Sequence, residues 1–132
     1  MNLRKTLLPA LPILLLALAA AAPAAAEDGA AASGPATRVE TKKVCMVNDA
    51  LFEKDQIPVE VEGKTYYGCC QMCKARLAED AAVRSAVDPV SGATVDKATA
   101  VPAALADGSV LYFESAETLA EYNRKAGESE QG

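Results

Sequence analysis

The chain has 132 residues, no histidine, no tryptophan and a formal net charge of −5 at pH 7. Without imidazole, histidine triads, histidine general bases and histidine metal ligands are excluded, and the net acidity argues against binding nucleic acid phosphates. The hydrophobic fraction is 51%, but alanine makes up much of it. A core so short of large side chains often needs a disulfide or a metal as a staple.

Residues 1–26 have the order of a secretory signal peptide. Arg4 and Lys5 form a short basic region, residues 7–22 are almost entirely apolar, and three alanines at 24–26 resemble a cleavage site. We therefore predict cleavage after Ala26 and a periplasmic or secreted mature protein. No later apolar run approaches the length of about 18 residues that a membrane span needs.

A first folded unit is predicted over residues 42–87, after a flexible linker of small and polar residues at 27–41. It starts with a short strand at 44–47. Alternating apolar and acidic residues at 57–61, a glycine turn and a β-rich return predict a hairpin. Good helix formers then run from Cys70 to about residue 87, where Asp88 and Pro89 are predicted to end the helix.

A second unit is predicted over residues 88–126, followed by a polar tail at 127–132. A loop of small residues is expected up to residue 106, then a strand at 110–113. Ser115 is predicted to cap a helix that runs to about residue 126, with Gly127 as its C-terminal cap.

The two units align at their strand-to-helix junctions. Cys69 falls on Glu114, Cys73 falls on Thr118, and Cys45 falls on Ser91. We therefore predict an α+β protein of two tandem β-hairpin-plus-helix units, of which the second has lost every cysteine. Because all cysteines lie in the first unit, their removal is expected to unfold residues 43–87 preferentially.

The four cysteines are predicted to form one cluster. The hairpin returns Cys45 to the helix start, while Cys69 and Cys73 are four residues apart and lie on one helical face. A helix N-terminus favours thiolate over thiol, and gathered thiolates suit a soft or borderline cation such as Cu(I) or Zn(II). The candidate metal ligands are Cys45, Cys69, Cys70 and Cys73. The thioethers of Met46 and Met72 nearby would favour Cu(I), unless both methionines simply fill the core.

This pattern resembles the TRASH/YHS family of small metal-binding domains. The resemblance rests on Cys45, on Tyr-Tyr-Gly-Cys-Cys-Gln-Met-Cys at 66–73, and on two later segments, Asp-Pro-Val-Ser-Gly at 88–92 and Leu-Tyr-Phe-Glu-Ser at 111–115. It implies a treble-clef-like zinc-finger fold and a link to copper, zinc or heavy-metal sensing, transport and resistance. Cys45, Cys69 and Cys73 would then be the ligands, while Cys70 stands where the family usually has serine.

Two other interpretations of the cysteines stay open. An exported chain with an even number of cysteines is often disulfide-bonded, so the protein could be a stapled interaction domain without metal. Alternatively, Cys70 and Cys73 form a Cys-x-x-Cys pair at a helix start, as in thiol–disulfide redox proteins.

The leading hypothesis is an exported metal-binding protein of envelope metal handling or resistance. Its expected partners are the metal ion and a metal transporter or another envelope metal-handling protein, with neither nucleic acid nor a membrane span. We expect no enzymatic activity, because the chain offers no plausible nucleophile–base pair and no phosphate-binding glycine loop.

Overall fold

The computed structural model describes residues 34–131, so the predicted signal peptide and the first part of the linker lie outside the described residues. The architecture is α+β, as predicted: small antiparallel sheets and two α-helices. In chain order, the strands and helices are β1 (Thr37–Arg38), β2 (Val44–Cys45), β3 (Ala50–Leu51), β4 (Ile57–Val61), β5 (Lys64–Gly68), α1 (Gln71–Glu79), β6 (Ser85–Val87), β7 (Thr94–Asp96), β8 (Val101–Ala104), β9 (Val110–Phe113) and α2 (Ala116–Ser129). Neither helix in this part of the chain is long and apolar enough to cross a lipid bilayer.

The predicted hairpin is confirmed by β4 and β5. They pair antiparallel with Val59 opposite Tyr66, and both residues are buried. Glu62 and Gly63 make the turn with positive φ values of 52° and 79°, a region that glycine occupies without strain. The hairpin leads directly into α1, so the end of β5 and the start of the helix lie side by side.

The first helix is much shorter than predicted. α1 ends at Glu79, and a short 3-10 turn (Ala81–Arg84) and strand β6 follow it. The Asp80 carboxylate accepts a hydrogen bond of 2.9 Å from the amide of Ala82, an aspartate contact that competes with helical backbone bonding. The residues beyond it then gain ladder hydrogen bonds with β7, which the helical pattern did not anticipate.

The second half contains more strands than predicted, and its helix is longer than predicted. The expected loop up to residue 106 contains strands β7 and β8, whereas the strand at Val110–Phe113 and the Ser115 cap are confirmed. Helix α2 continues past Gly127 to Ser129. Gly127 does not have the positive φ of a glycine cap, so the helix passes through it.

One hydrophobic core joins the two halves of the chain. It combines side chains that precede residue 87 with side chains that follow it: Val44, Met46, Val59, Tyr66, Leu77, Ala104, Val110 and Tyr112. The residues at 87 and 88, where the two units were predicted to divide, lie within the β6–β7 hairpin. Part of the predicted linker is also attached to the second half, because β1 pairs with β8. The cysteine-bearing half therefore packs directly on the cysteine-free half.

Candidate metal centre

Three cysteine sulfurs converge at the junction of β2, β5 and α1. The Sγ atoms of Cys45, Cys69 and Cys73 all lie within 4.8 Å of one another. Cys45 ends β2, Cys69 follows β5, and Cys73 lies in the first turn of α1. None of the chain's four cysteines, all of which are among the described residues, is in a disulfide bond. The geometry is compatible with binding a metal ion.

Backbone contacts set this convergence. The amide of Met46 donates to the Tyr67 carbonyl at 2.9 Å, which holds the end of β2 beside β5. Gly68 then allows close approach of the helix, because a Cβ atom at this position would lie 3.0 Å from Cβ of Cys73. Gly68 was not predicted to shape the site, although a glycine directly before a cysteine pair is a usable signal for close backbone packing.

The sulfur separations fit a metal ion with little rearrangement. With metal–sulfur bonds of about 2.3 Å, three thiolates around one ion lie roughly 3.8–4.0 Å apart. The Cys69 and Cys73 sulfurs are 3.6 Å apart, and no pair in the group is more than 4.8 Å apart. Rotamer-scale movements of the side chains would therefore suffice to close the group around an ion.

The three sulfurs differ in burial. Cys45 and Cys73 are buried, and Cys69 is half-buried. This arrangement shields the group on the protein side and leaves access from solvent through Cys69.

Cys70 is the fourth predicted ligand, and it lies outside the three-sulfur group. It is exposed, and it serves as the N-cap of α1, where its sulfur accepts a hydrogen bond from the amide of Cys73 at 3.4 Å. This capping contact directs the Cys70 side chain along the helix end. The position matches that of Ser115 at α2, which caps its helix with nearly the same backbone angles (φ −153°, ψ 170° against φ −153°, ψ 173°).

The methionines occupy different environments. Met46 is fully buried in the core, as the simpler interpretation of this residue predicts. Met72 is 75% exposed on α1, so it does not fill the core.

The four thiols have unequal acidities. Burial by itself raises the pKa of Cys45, but hydrogen bonding from the amides of Asn48, Val47 and Cys69 outweighs it and lowers the pKa overall. Burial, with hydrogen bonds to the neighbouring thiols, raises the pKa of Cys73 to about 12.

Hydrogen bonds also change the pKa values of the other two thiols, Cys69 and Cys70. The hydrogen bond shared with Cys45 raises the pKa of Cys69, whereas the Cys73 amide lowers the pKa of Cys70. Cys45 is therefore more acidic than Cys69 and Cys73, and an ion bound by all three sulfurs would displace their protons.

Further polar residues support the cluster from the loop at 46–49. The Asn48 amide nitrogen donates to Cys69 Sγ at 3.6 Å. Lys97, from the second half, donates to the Met46 carbonyl at 2.7 Å and to Asp49 Oδ1 at 2.6 Å. Asn48, Asp49 and Lys97 were not among the residues predicted from the sequence to shape the site. Asn48-Asp49 is a recognisable turn signal, but nothing near Lys97 marks it as anything other than a solvated lysine.

The equivalent positions in the second half form a hydrogen-bonded network without sulfur. Ser91 Oγ donates to Glu114 Oε2 at 3.0 Å, so the counterparts of Cys45 and Cys69 are also neighbours in space. The fully buried Asp88 accepts from the amides of Glu114, Val90 and Ser91 at 2.7, 2.7 and 3.1 Å. Hydrogen bonds thus tie this strand–helix junction together.

Comparison of the chain with protein-family models, with curated proteins and with solved structures gives no match, so the resemblance to the TRASH/YHS family rests on the residues quoted above.

Proposed function

We propose that the reduced protein binds one soft or borderline metal ion through Cys45, Cys69 and Cys73. The observation that carries this proposal is the convergence of three sulfurs within 4.8 Å from three separate elements of the fold. Such convergence places soft ligands around one point, and the half-exposed Cys69 gives an ion access to it.

Cu(I) is the ion that we favour, with Zn(II) as the alternative. The chain has no histidine, so sulfur must dominate the site, and thiolates select soft cations. Structural zinc sites almost always have four ligands, and the fourth cysteine, Cys70, is exposed, caps α1 and lies outside the three-sulfur group. Zinc would therefore need either a water ligand or a rearranged Cys70.

The biological role we propose is metal handling or resistance in the cell envelope. Its supports are the signal-like residues 1–26 and the resemblance to TRASH/YHS domains. In this role the protein would act by holding and passing on an ion rather than by catalysing a reaction, and its partner would be a metal transporter or another envelope metal-binding protein.

A competition titration tests the site. The reduced protein, purified anaerobically, is titrated with Cu(I) against a chromogenic chelator, with thiol counting on the same sample. We expect one equivalent of bound ion, and a loss of about tenfold or more in affinity for each serine substitution at Cys45, Cys69 and Cys73. Cys70→Ser is the matched control and should stay within a few-fold of wild type, since a serine caps α2 in the same way. Equal affinity of Cys45→Ser and wild type would contradict the three-sulfur site.

A second candidate function is thiol–disulfide exchange at Cys70 and Cys73, favoured by the exposed Cys70 at the helix cap and the buried Cys73 three residues later. The Cys70 thiolate would attack a substrate disulfide and form a mixed disulfide, releasing one substrate thiol. Cys73 would then attack the Cys70 sulfur, forming a Cys70–Cys73 disulfide and releasing the second thiol.

The same variants separate the candidates. Exchange requires Cys70 and Cys73 and tolerates Cys45→Ser, whereas metal binding requires Cys45 and tolerates Cys70→Ser. A disulfide-stapled domain without metal would instead show no titratable thiols in protein taken directly from the envelope fraction.

A further inference from the structure

Lys97 is a buried lysine whose ammonium group lies against the loop that carries the metal site. Only 4% of the residue is exposed, and it belongs to the half of the chain without cysteines. Lysine is almost never fully buried unless its charge is paired, because removal of the ammonium group from water is costly. A lysine in this place therefore calls for a structural explanation.

The partners of Lys97 account for its burial. Its Nζ donates to the Met46 carbonyl at 2.7 Å and to Asp49 Oδ1 at 2.6 Å, and it lies 5.0 Å from the ring centroid of Tyr112. The ammonium group thus has a carbonyl, a carboxylate and an aromatic face around it, which together compensate for lost hydration. Both of these hydrogen bonds go to the loop at 46–49.

That loop connects Cys45 to β3 and includes residues that touch the sulfur cluster. Met46 directly follows Cys45, and Asp49 ends the loop with a positive φ of 51°, which is uncommon for a residue other than glycine. Lys97 therefore contacts both ends of the segment at 46–49. Between those ends, Asn48 donates to Cys69 Sγ at 3.6 Å.

A further contact joins the loop to the second half. The amide of Val110 donates to the Asp49 carbonyl at 2.8 Å, and Leu51 donates to the Gly108 carbonyl at 2.9 Å. The far end of the loop is thus attached to β9 and its preceding turn, while Lys97 holds the near end. At Met46, the first half holds the backbone through the Tyr67 carbonyl, which accepts from the Met46 amide, while Lys97 of the second half donates to the Met46 carbonyl.

We propose that Lys97 is a positioning residue of the metal site: by holding Met46 and Asp49 it keeps Cys45 and Asn48 in place for the ion. The inference rests on the proposed function. It gives the cysteine-free half a role in metal binding, in which Lys97 holds the ligand loop and does not itself coordinate the ion. Ligand-supporting groups of this kind commonly change metal affinity by about 10–100-fold when removed.

The test compares Lys97→Met with Lys64→Met in the full-length reduced protein. Lys64 is the matched control, because its Nζ is also 2.6 Å from an aspartate, Asp96, but it contacts neither the loop nor a cysteine. Cu(I) affinity is measured by chelator competition, and Co(II) is used as a spectroscopic probe of thiolate coordination. Lys97→Met should bind Cu(I) about tenfold or more weakly and show an altered Co(II)–thiolate absorption, while Lys64→Met should match wild type.

The outcomes distinguish the two ideas. If wild type binds no Cu(I), the proposed function fails; if wild type binds and folded Lys97→Met binds equally with an unchanged Co(II) spectrum, only the role of Lys97 is overturned. If Lys97→Met fails to fold, Asp49→Asn tests the proposal instead. This substitution weakens the same ion pair, while Lys97 still donates its hydrogen bond to the Met46 carbonyl. We expect Asp49→Asn to weaken binding about threefold or more and to shift the Co(II) spectrum, and wild-type behaviour would overturn the proposal.

Discussion

Gly68 packs against Cys73 so closely that a Cβ atom on residue 68 would lie 3.0 Å from the Cβ atom of Cys73. The neighbouring atoms at 3.2 Å belong to the backbone of Cys73 and Lys74, which cannot rotate away as a flexible side chain would. With a Cβ atom on residue 68, the backbone at the start of α1 would have to move away from the end of β5 by a few tenths of an ångström.

Gly68→Ala is expected to displace Cys73 from the other two sulfurs and to lower Cu(I) affinity about tenfold, since ligand misplacement is felt directly in the metal bonds. Gly127→Ala is the matched control, because a Cβ atom there meets nothing within 4 Å. It should leave affinity unchanged. Chelator competition on both variants makes the measurement, and wild-type affinity in Gly68→Ala would contradict the packing argument.

Metal binding should stabilise the fold. An ion that binds only the native state at a free concentration of 100 times Kd raises the free energy of unfolding by about 2.7 kcal/mol. Thermal unfolding followed by circular dichroism should therefore shift upward with Cu(I) and return on addition of a chelator. A variant with serine at residues 45, 69 and 73 should show no shift, and an equal shift in that variant would mean that the ion binds elsewhere.

Cooperative unfolding of the two halves follows from their common core. Val44 and Leu77 pack in the same cluster as Val110 and Tyr112, so loosening the cysteine-bearing half removes the apolar surface that buries the other half. The sequence alone suggested that loss of the cysteines would unfold residues 43–87 preferentially. The structure instead predicts that hydrogen-exchange protection falls in β9 as well as in β5 when the cysteines are replaced. Full protection of β9 beside an unprotected β5 would restore the original expectation.

Asp88 is expected to stabilise the protein at neutral pH and to lose that effect in acid. Burial alone raises the pKa of Asp88, but hydrogen bonds from the Glu114 amide, the Thr118 side chain and the Val90 and Ser91 amides outweigh it and lower the pKa. A carboxyl group with a lowered folded-state pKa contributes stability above its unfolded pKa of about 3.9, and loses it as the pH falls through the folded value.

Asp88→Asn should therefore cost about 2–3 kcal/mol at pH 7, because charge-assisted hydrogen bonds to a buried group are lost. The cost should shrink below about pH 3, where protonation weakens the wild type as well. Denaturant unfolding at the two pH values measures both. Asp55→Asn, at an exposed aspartate, should change stability by less than about 0.5 kcal/mol. A cost for Asp88→Asn that stays constant with pH would exclude the carboxylate as its source.

Export is tested by the N-terminus of the mature protein. The basic region, apolar segment and alanine-rich site within residues 1–26 predict that sequencing begins at Glu27. Protein isolated from the envelope fraction of expressing cells provides the sample. An intact Met1 in the membrane fraction would indicate that the segment is retained as an anchor.

Features that depend on short stretches of chain could be read from the sequence. The hairpin over β4 and β5 follows from alternating residues and a glycine turn, and Ser115 follows from the preference of helix caps for a hydroxyl. The convergence of Cys45, Cys69 and Cys73 was also predicted, because the hairpin length brings Cys45 back to the helix start. The shared helical face predicted for Cys69 and Cys73 was wrong, because Cys69 precedes the N-cap Cys70 and lies outside α1.

The tertiary structure decided what depends on neighbours distant in the chain. Lys97 is buried because the loop at 46–49 offers its ammonium group a carbonyl and a carboxylate. No periodicity in the sequence encodes such pairings, since the partners lie 48 and 51 residues from Lys97. Local sequence thus specified which atoms could bind an ion, and packing between the halves determined which of them meet and what holds them there.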